Sequence, residues 1–266
     1  MNAHRILALA ALLCTGLMAF DAQAEDPKPD PKPAYAINTK AFEGSVTIDP
    51  KLKAFPALYD RLLTTSKREI TKSRSSAEAQ RKSEPEMFAD GRQFSDVRTF
   101  MVRAQAGPYV SIVRNIGTYE GGAHPNPGVD TLLWDTQTGK MTNIRPLFTE
   151  FADNGPTLTM LARKIRLAMV VAKKKNGVDD VDPDKDEWLS AIKPQITNIG
   201  GIALAPSTDA GKSSGFIAYF GPYVAGPYAE GTYSIFIPWA EFREQLSPVG
   251  VAIFGGTRPA GDEDND

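Results

Sequence analysis

Apolar residues change their spacing several times along the chain, and each change marks an element. Leu52, Phe55, Leu58, Tyr59, Leu62, Leu63 and Ile70 recur at steps of three and four. That spacing gathers them on one face of a helix. A long helix is therefore expected over 50–81, with Pro56 in its first turns, where proline is tolerated best. Beyond Ile70 the face fades into Lys, Arg, Ser and Gln, so the outer end is expected in solvent. A second helix is expected over 156–176, with Leu158, Leu161, Ile165, Ala168, Met169 and Ala172 as its buried stripe. Pro156 takes its first position, Lys173 to Lys175 face the negative end of its dipole, and Gly177 ends it.

Elsewhere the period is two. Residues 35–48 read as one or two short strands. Residues 97–105 alternate, Gly107-Pro108 turns the chain, and Tyr109–Tyr119 alternates again. Strands over 129–135 and 141–144 are joined by Thr136-Gln137-Thr138-Gly139, a hairpin signal. A short helix is expected over 184–192. Strands follow at 196–204, Gly215–Phe220 and 232–237, then a short helix at 239–246 and an edge strand at 249–254. Hairpin-linked strands with helices laid on them give an α+β fold. It consists of antiparallel β-meanders, a long helix in the N-terminal half and a second, central helix packed on the sheets. No regular βαβ alternation is visible.

The ends change the picture. His4 and Arg5 precede an apolar run over 6–13, and Ala22-Gln23-Ala24 offers a small-residue cleavage site. Residues 1–24 therefore read as a secretory signal peptide, and the mature chain is expected to start at Glu25 and to be periplasmic or secreted. The run falls short of the ~20 residues that span a membrane. Leu13 before Cys14 is wrong for lipoprotein processing. Cys14 is the one cysteine and leaves with the leader, which excludes disulfides, thiol catalysis and zinc–thiolate sites. Residues 25–33 alternate charge with proline, an extended spacer. Two subdomains, 34–128 and 129–254, are expected to follow, and 255–266 reads as an acidic disordered tail. The net charge of −2 speaks against a nucleic-acid partner. The basic stretch 67–82 reads as a solvated face.

Candidate chemistry is sparse. P-loop, dinucleotide-binding and H-E-x-x-H patterns are absent, and we assign no serine nucleophile. One histidine remains after the leader, too few for a multi-histidine zinc site. No metal and no cofactor are expected, and no catalytic residue is assigned. That histidine sits in Tyr119-Glu120-Gly121-Gly122-Ala123-His124-Pro125-Asn126-Pro127. Glycines there give backbone freedom and prolines fix φ. A structural role for His124, fixing the turn, stands beside a binding role. Tyr109, Tyr223 and Tyr228 each follow Gly-Pro, so their loops are stiff and lose little entropy on binding. Packing over the sheet is the alternative for these tyrosines, and Trp134, Trp188 and Trp239 read as core.

The histidine loop is followed by Asp130-Thr131-Leu132-Leu133-Trp134-Asp135, then Thr138-Gly139-Lys140 and Pro146-Leu147-Phe148. This order resembles the extracytoplasmic module shared by the lysozyme-sensing anti-sigma factor RsiV and the peptidoglycan deacetylase PdaC. Residues 217–231, with Pro222-Tyr223 and Pro227-Tyr228-Ala229-Glu230-Gly231, resemble the family's second strand and loop, and Ile235-Phe236-Ile237-Pro238-Trp239 its strand end. Val224 stands where the family often has an acidic residue. No deacetylase domain and no membrane span accompany the module, so neither deacetylation nor transmembrane signalling is carried over. The resemblance implies a cell-envelope binding protein, with peptidoglycan-type glycan or a lysozyme-like protein as partner. Tyr119, Gly122, His124, Asn126, Tyr223, Tyr228 and Glu230 are its candidate ligand-binding residues. A hydrolase or deacetylase-like enzyme using His124 with a carboxylate is the alternative, and a structural accessory subunit is another.

Overall fold

β1 (Tyr35–Asn38) and β2 (Phe42–Ile48) form a hairpin, its turn closed by the Thr39 hydroxyl oxygen, which accepts the Phe42 N–H at 3.1 Å. The computed structural model describes residues 31–262, which fall in one unit by their contacts. The leader, most of the spacer and residues 263–266 lie outside the described residues.

After β2 the chain makes a short 3₁₀ turn, Pro50–Ala54, and then helix α1 (Pro56–Ser83). The single helix expected from residue 50 is thus broken in two. Pro56 pushes the residue before it out of the helical region, and Phe55 sits at φ −125°, ψ 74°. Leu58, Leu62 and Ile70 are buried against the sheet, each contributing about 1.5–3 kcal/mol.

α1 delivers the chain to β3 (Phe94–Ala106), which lies parallel to β2. A parallel pair needs a crossover, and α1 supplies it. One βαβ unit therefore opens an otherwise antiparallel sheet, and this parallel pair precedes the meander expected over 97–144. β4 (Tyr109–Tyr119), β5 (Asn126–Asp135) and β6 (Lys140–Thr142) complete the six-stranded sheet in sequence order. The β3–β4 register shifts between Val102 and Ala104. Phe94, Phe100 and Val102 pack beneath α1, while Ala104 and Ala106 join the core on the other side, as a bulge that re-aims a strand would arrange. β5 serves both cores, with Trp134 under α1 and Leu133 opposite.

The second sheet is antiparallel: β7 (Gly201–Leu204), β8 (Gly215–Phe220) and β9 (Tyr233–Pro238). Every residue of β8 is buried. Phe216, Ala218 and Phe220 face the core around α2 (Pro156–Lys175), whereas Ile217 and Tyr219 face Val113 of β4. The Leu204 N–H also donates to the Ser111 hydroxyl at 2.9 Å. The layers run α1, six-stranded sheet, three-stranded sheet, α2, an α+β architecture.

The smaller elements depart more. A short α3 (Glu187–Ser190) stands within the helix expected over 184–192. The helix expected at 239–246 is two 3₁₀ turns. The edge strand expected at 249–254 is helix α4 (Pro248–Ile253). Val249, Val251 and Ile253 read as strand by type, but Ser247 accepts the Gly250 N–H and Pro248 occupies the first helical position, an N-cap that starts a helix. Residues 255–262, read as the start of a disordered tail, are held against the domain. The Asp262 carboxylate accepts two bonds from Arg103, at 2.8 and 2.6 Å, and one from Arg258 at 2.7 Å. These partners offset the cost of ordering the segment.

Candidate functional site

Two loops meet at one end of the molecule. The first leaves β4 at Tyr119 and re-enters the sheet at Asn126, which pairs with Thr118. Gly121 sits at φ 84°, and a Cβ there would lie 3.0 Å from Met87 Cε and 3.1 Å from the Phe94 ring. Both the conformation and the space call for glycine. The second loop links β8 to β9. The Tyr223 N–H donates to Gly226 O at 2.9 Å, and Tyr223 itself takes φ 66°, a left-handed conformation uncommon outside glycine.

The rings of these loops touch. His124 stacks on Tyr228, with centroids 4.0 Å apart and planes at 27°. The Tyr228 hydroxyl donates to Pro125 O at 3.3 Å, and His124 Nδ1 lies 2.9 Å from the same oxygen. Tyr223 lies 5.8 Å from Tyr228 and is 56% exposed. Residues far apart in sequence thus form an aromatic ledge with one open face. Proline on both sides stiffens it.

The other expected ligand residues are placed differently. Tyr119 and His124 wall a shallow hollow of about 380 Å³, together with Glu43 and Gln93. Gly122 is exposed, with open space where a Cβ would stand. Asn126 is exposed, and its carbonyl accepts from the Thr118 hydroxyl at 3.5 Å. Glu230 turns inward. It accepts from Lys173 Nζ at 2.6 Å and from the Tyr233 hydroxyl at 2.5 Å. Lys173 is 2% exposed, with its ammonium 5.2 Å from the Tyr233 ring centroid. It is therefore a buried partner of Glu230 as well as a helix-end charge. Burial pushes the Glu230 carboxyl up, but hydrogen bonds from Lys173 and Tyr233 and the Lys173 charge outweigh it, so Glu230 titrates below the usual range. Burial, followed by the Glu230 carboxylate, raises the Tyr233 hydroxyl to about 12. Gly226 passes directly over the pair: a Cβ there would lie 2.4 Å from Glu230 Oε2 and 2.9 Å from Lys173 Nζ. The Gly226-Pro227-Tyr228 loop is anchored on this ion pair.

Tyr109, the third tyrosine after Gly-Pro, is buried in the α2 core, and Trp134 and Trp188 pack in cores as expected. Trp239 packs there too and donates to Gly256 O at 3.0 Å. The run Gly211-Lys212-Ser213-Ser214-Gly215 has the G-x-S-x-G spacing of a nucleophile elbow, so that spacing is present although no serine nucleophile is assigned from the sequence. It leads into strand β8 rather than a helix. Ser213 is 0% exposed, and its hydroxyl lies 2.8 Å from both Ala205 O and Gly215 O. Its role is to hold the chain, not to attack a substrate. Among the described residues no carboxylate pairs with His124, and no cluster of three or more His, Cys, Asp or Glu is placed to hold a metal. Among the same residues no helix is long and apolar enough to cross a membrane.

No family model matches the sequence, and no curated protein matches it. Two solved structures are similar over most of the chain. A member of the DUF3298 family from Bacteroides fragilis has 17% identity and a TM-score of 0.51, covering 82% of this chain and 94% of that one. A DUF3298 family protein from Pseudomonas aeruginosa has 14% identity and a TM-score of 0.48, covering 82% and 90%. At 17% identity the likeness to the Bacteroides structure is one of fold, and that neighbour carries the domain found in RsiV/PdaC-type proteins.

Proposed function

We propose that the protein is an exported envelope-binding protein and that the His124–Tyr228–Tyr223 ledge contacts wall glycan. The ledge itself carries the proposal. Sugar rings present an apolar face to an aromatic ring and hydroxyls to a phenol. Tyr223 and Tyr228 offer both, on loops already rigid before a ligand arrives. The contacts of His124 support binding over catalysis. Its ring is stacked, and Nδ1 rests on a carbonyl, an arrangement that fixes the imidazole without activating it. A lysozyme-like protein is the other partner implied by the resemblance.

Sedimentation with insoluble peptidoglycan, alongside capture on immobilised lysozyme, tests the reading. Retention by the glycan supports it. Retention by lysozyme alone makes the ledge a protein-binding surface, and retention by neither ends the proposal. Export is tested separately. Intact mass of protein recovered outside the cytoplasm should correspond to a chain starting at Glu25, and a lipid adduct on Cys14 would overturn that expectation.

A further inference from the structure

Strand β3 breaks its own pattern beneath the second half of α1. Phe94, Phe100 and Val102 project into the core there, yet the same face carries Asp96, 1% exposed, and Arg98, 8% exposed. Arg98 donates to both Asp96 oxygens at 2.7 and 2.9 Å, Ser73 donates to Asp96 at 3.1 Å, and Glu69 takes another Arg98 N–H. α1 changes with the sheet. Past Ile70 its inner side is small and polar, with Ser73, Ser76, Ala77 and Gln80. The helix and sheet do not close on each other, and a cleft of about 570 Å³ stays open between them.

A core would fill this space with aliphatic side chains. Taking an ion pair out of water costs more than burying apolar residues of the same volume. Departures of this kind concentrate at functional sites.

We propose that this cleft binds a neutral, hydroxyl-rich ligand: a run of sugar rings continuing from the ledge. The proposal rests on the glycan reading above and extends it to a second subsite. Two features select the ligand. Most of the charge is answered within the wall, where Asp96 and Glu69 surround Arg98 and Lys72 stands across from Glu120, and the single carboxylate left over disfavours anions. Little field is left to attract a strongly charged ligand. Hydrogen-bonding capacity, by contrast, is available. Among the described residues, Lys72, Ser76, Ser95, Tyr119 and Glu120 line the cleft with no side-chain hydrogen bond or ion pair. Neutral hydroxyls both donate and accept, and this wall can answer them in kind. Continuity gives the direction. Phe94, Ser95 and Tyr119 belong both to this cleft and to the hollow walled by His124. The path leads from α1, past Tyr119, to the aromatic ledge.

Titration calorimetry of the whole protein with N-acetylglucosamine oligomers, from monomer to hexamer, tests the extension. Wild-type affinity should rise with oligomer length. Ser76→Trp, at an exposed helix position, fills the cleft and should weaken hexamer binding about tenfold with an unchanged melting curve. Lys72→Ala combined with Glu120→Ala should weaken it too. If Ser76→Trp binds hexamer as wild type does while the Tyr223→Ala/Tyr228→Ala variant does not, the cleft is no subsite and the ledge alone holds glycan. If wild type binds no oligomer, this proposal and the glycan reading fall together.

Discussion

Glu230→Ala should destabilise the fold by about 3–5 kcal/mol, the range for removing one partner of a buried ion pair. Its partner is the reason. Lys173 is 2% exposed, so the variant leaves an ammonium in the core without its carboxylate. Exchanging both residues for methionine should recover most of the loss, because two apolar side chains need no compensation. Urea unfolding of the single and double variants measures both terms. The pH dependence follows from the same cluster. An unfolded Glu230 takes up its proton at a higher pH than the folded one, whose carboxyl is held low. The pair's contribution is therefore full at neutral pH and drains away as pH falls through the folded value. Tyr233 acts at the other extreme. Its hydroxyl ionises near 10 when free and near 12 when folded, so its contribution is full below 10 and is lost as pH rises toward 12. A loss below about 1 kcal/mol, with wild type no more acid-sensitive than the variant, would mean that Lys173 is hydrated and the pair contributes little.

Parts of this structure stand openly in the sequence, and the physical reason differs from part to part. The stripe Leu58, Leu62, Ile70 and the run Leu158 to Met169 are helices because apolar spacing is a local signal strong enough to survive any context. Pro56 is local too, and its effect on Phe55 ends one element and begins another within what the apolar spacing alone presents as a single helix. The parallel β2–β3 pair is invisible locally, since nothing in either strand records the direction of its neighbour. α4 was hidden by three β-branched residues, whose propensity yields to the Ser247 cap. At the candidate site, the contact between His124 and Tyr228 could be anticipated because both lie in loops joining strands. The inward turn of Glu230 could not. Its partner Lys173 ends a distant helix, where a dipole explanation already accounted for the charge. The polar fade of α1 past Ile70 was legible as a pattern. Only the buried Asp96 and Arg98 opposite show that it faces a cleft rather than open solvent alone.

The largest functional effect is expected from changing Tyr223 and Tyr228 together to alanine. Central aromatic side chains commonly contribute about 1–3 kcal/mol each to binding, so glycan affinity should fall at least about tenfold. The fold should survive, since Tyr223 projects into solvent and the loop keeps its Tyr223 N–H to Gly226 O bond. His124→Ala should weaken binding less. Tyr228 would lose the ring it stacks on but keep its hydrogen bond to Pro125 O. Tyr223→Gly separates function from stability. Tyr223 occupies φ 66°, a conformation that costs a non-glycine residue of order 1 kcal/mol or more. Glycine relieves that strain, so the variant should melt at a higher temperature than wild type while binding less tightly. Those opposite shifts are expected only where strain is kept for the sake of the side chain it displays. Calorimetric titration against peptidoglycan fragments, with thermal melts of the same samples, reads both quantities. A folded double-alanine variant with unchanged affinity removes the ledge from the site. A Tyr223→Gly variant that is more stable and binds equally well leaves the strain at this position without a binding role.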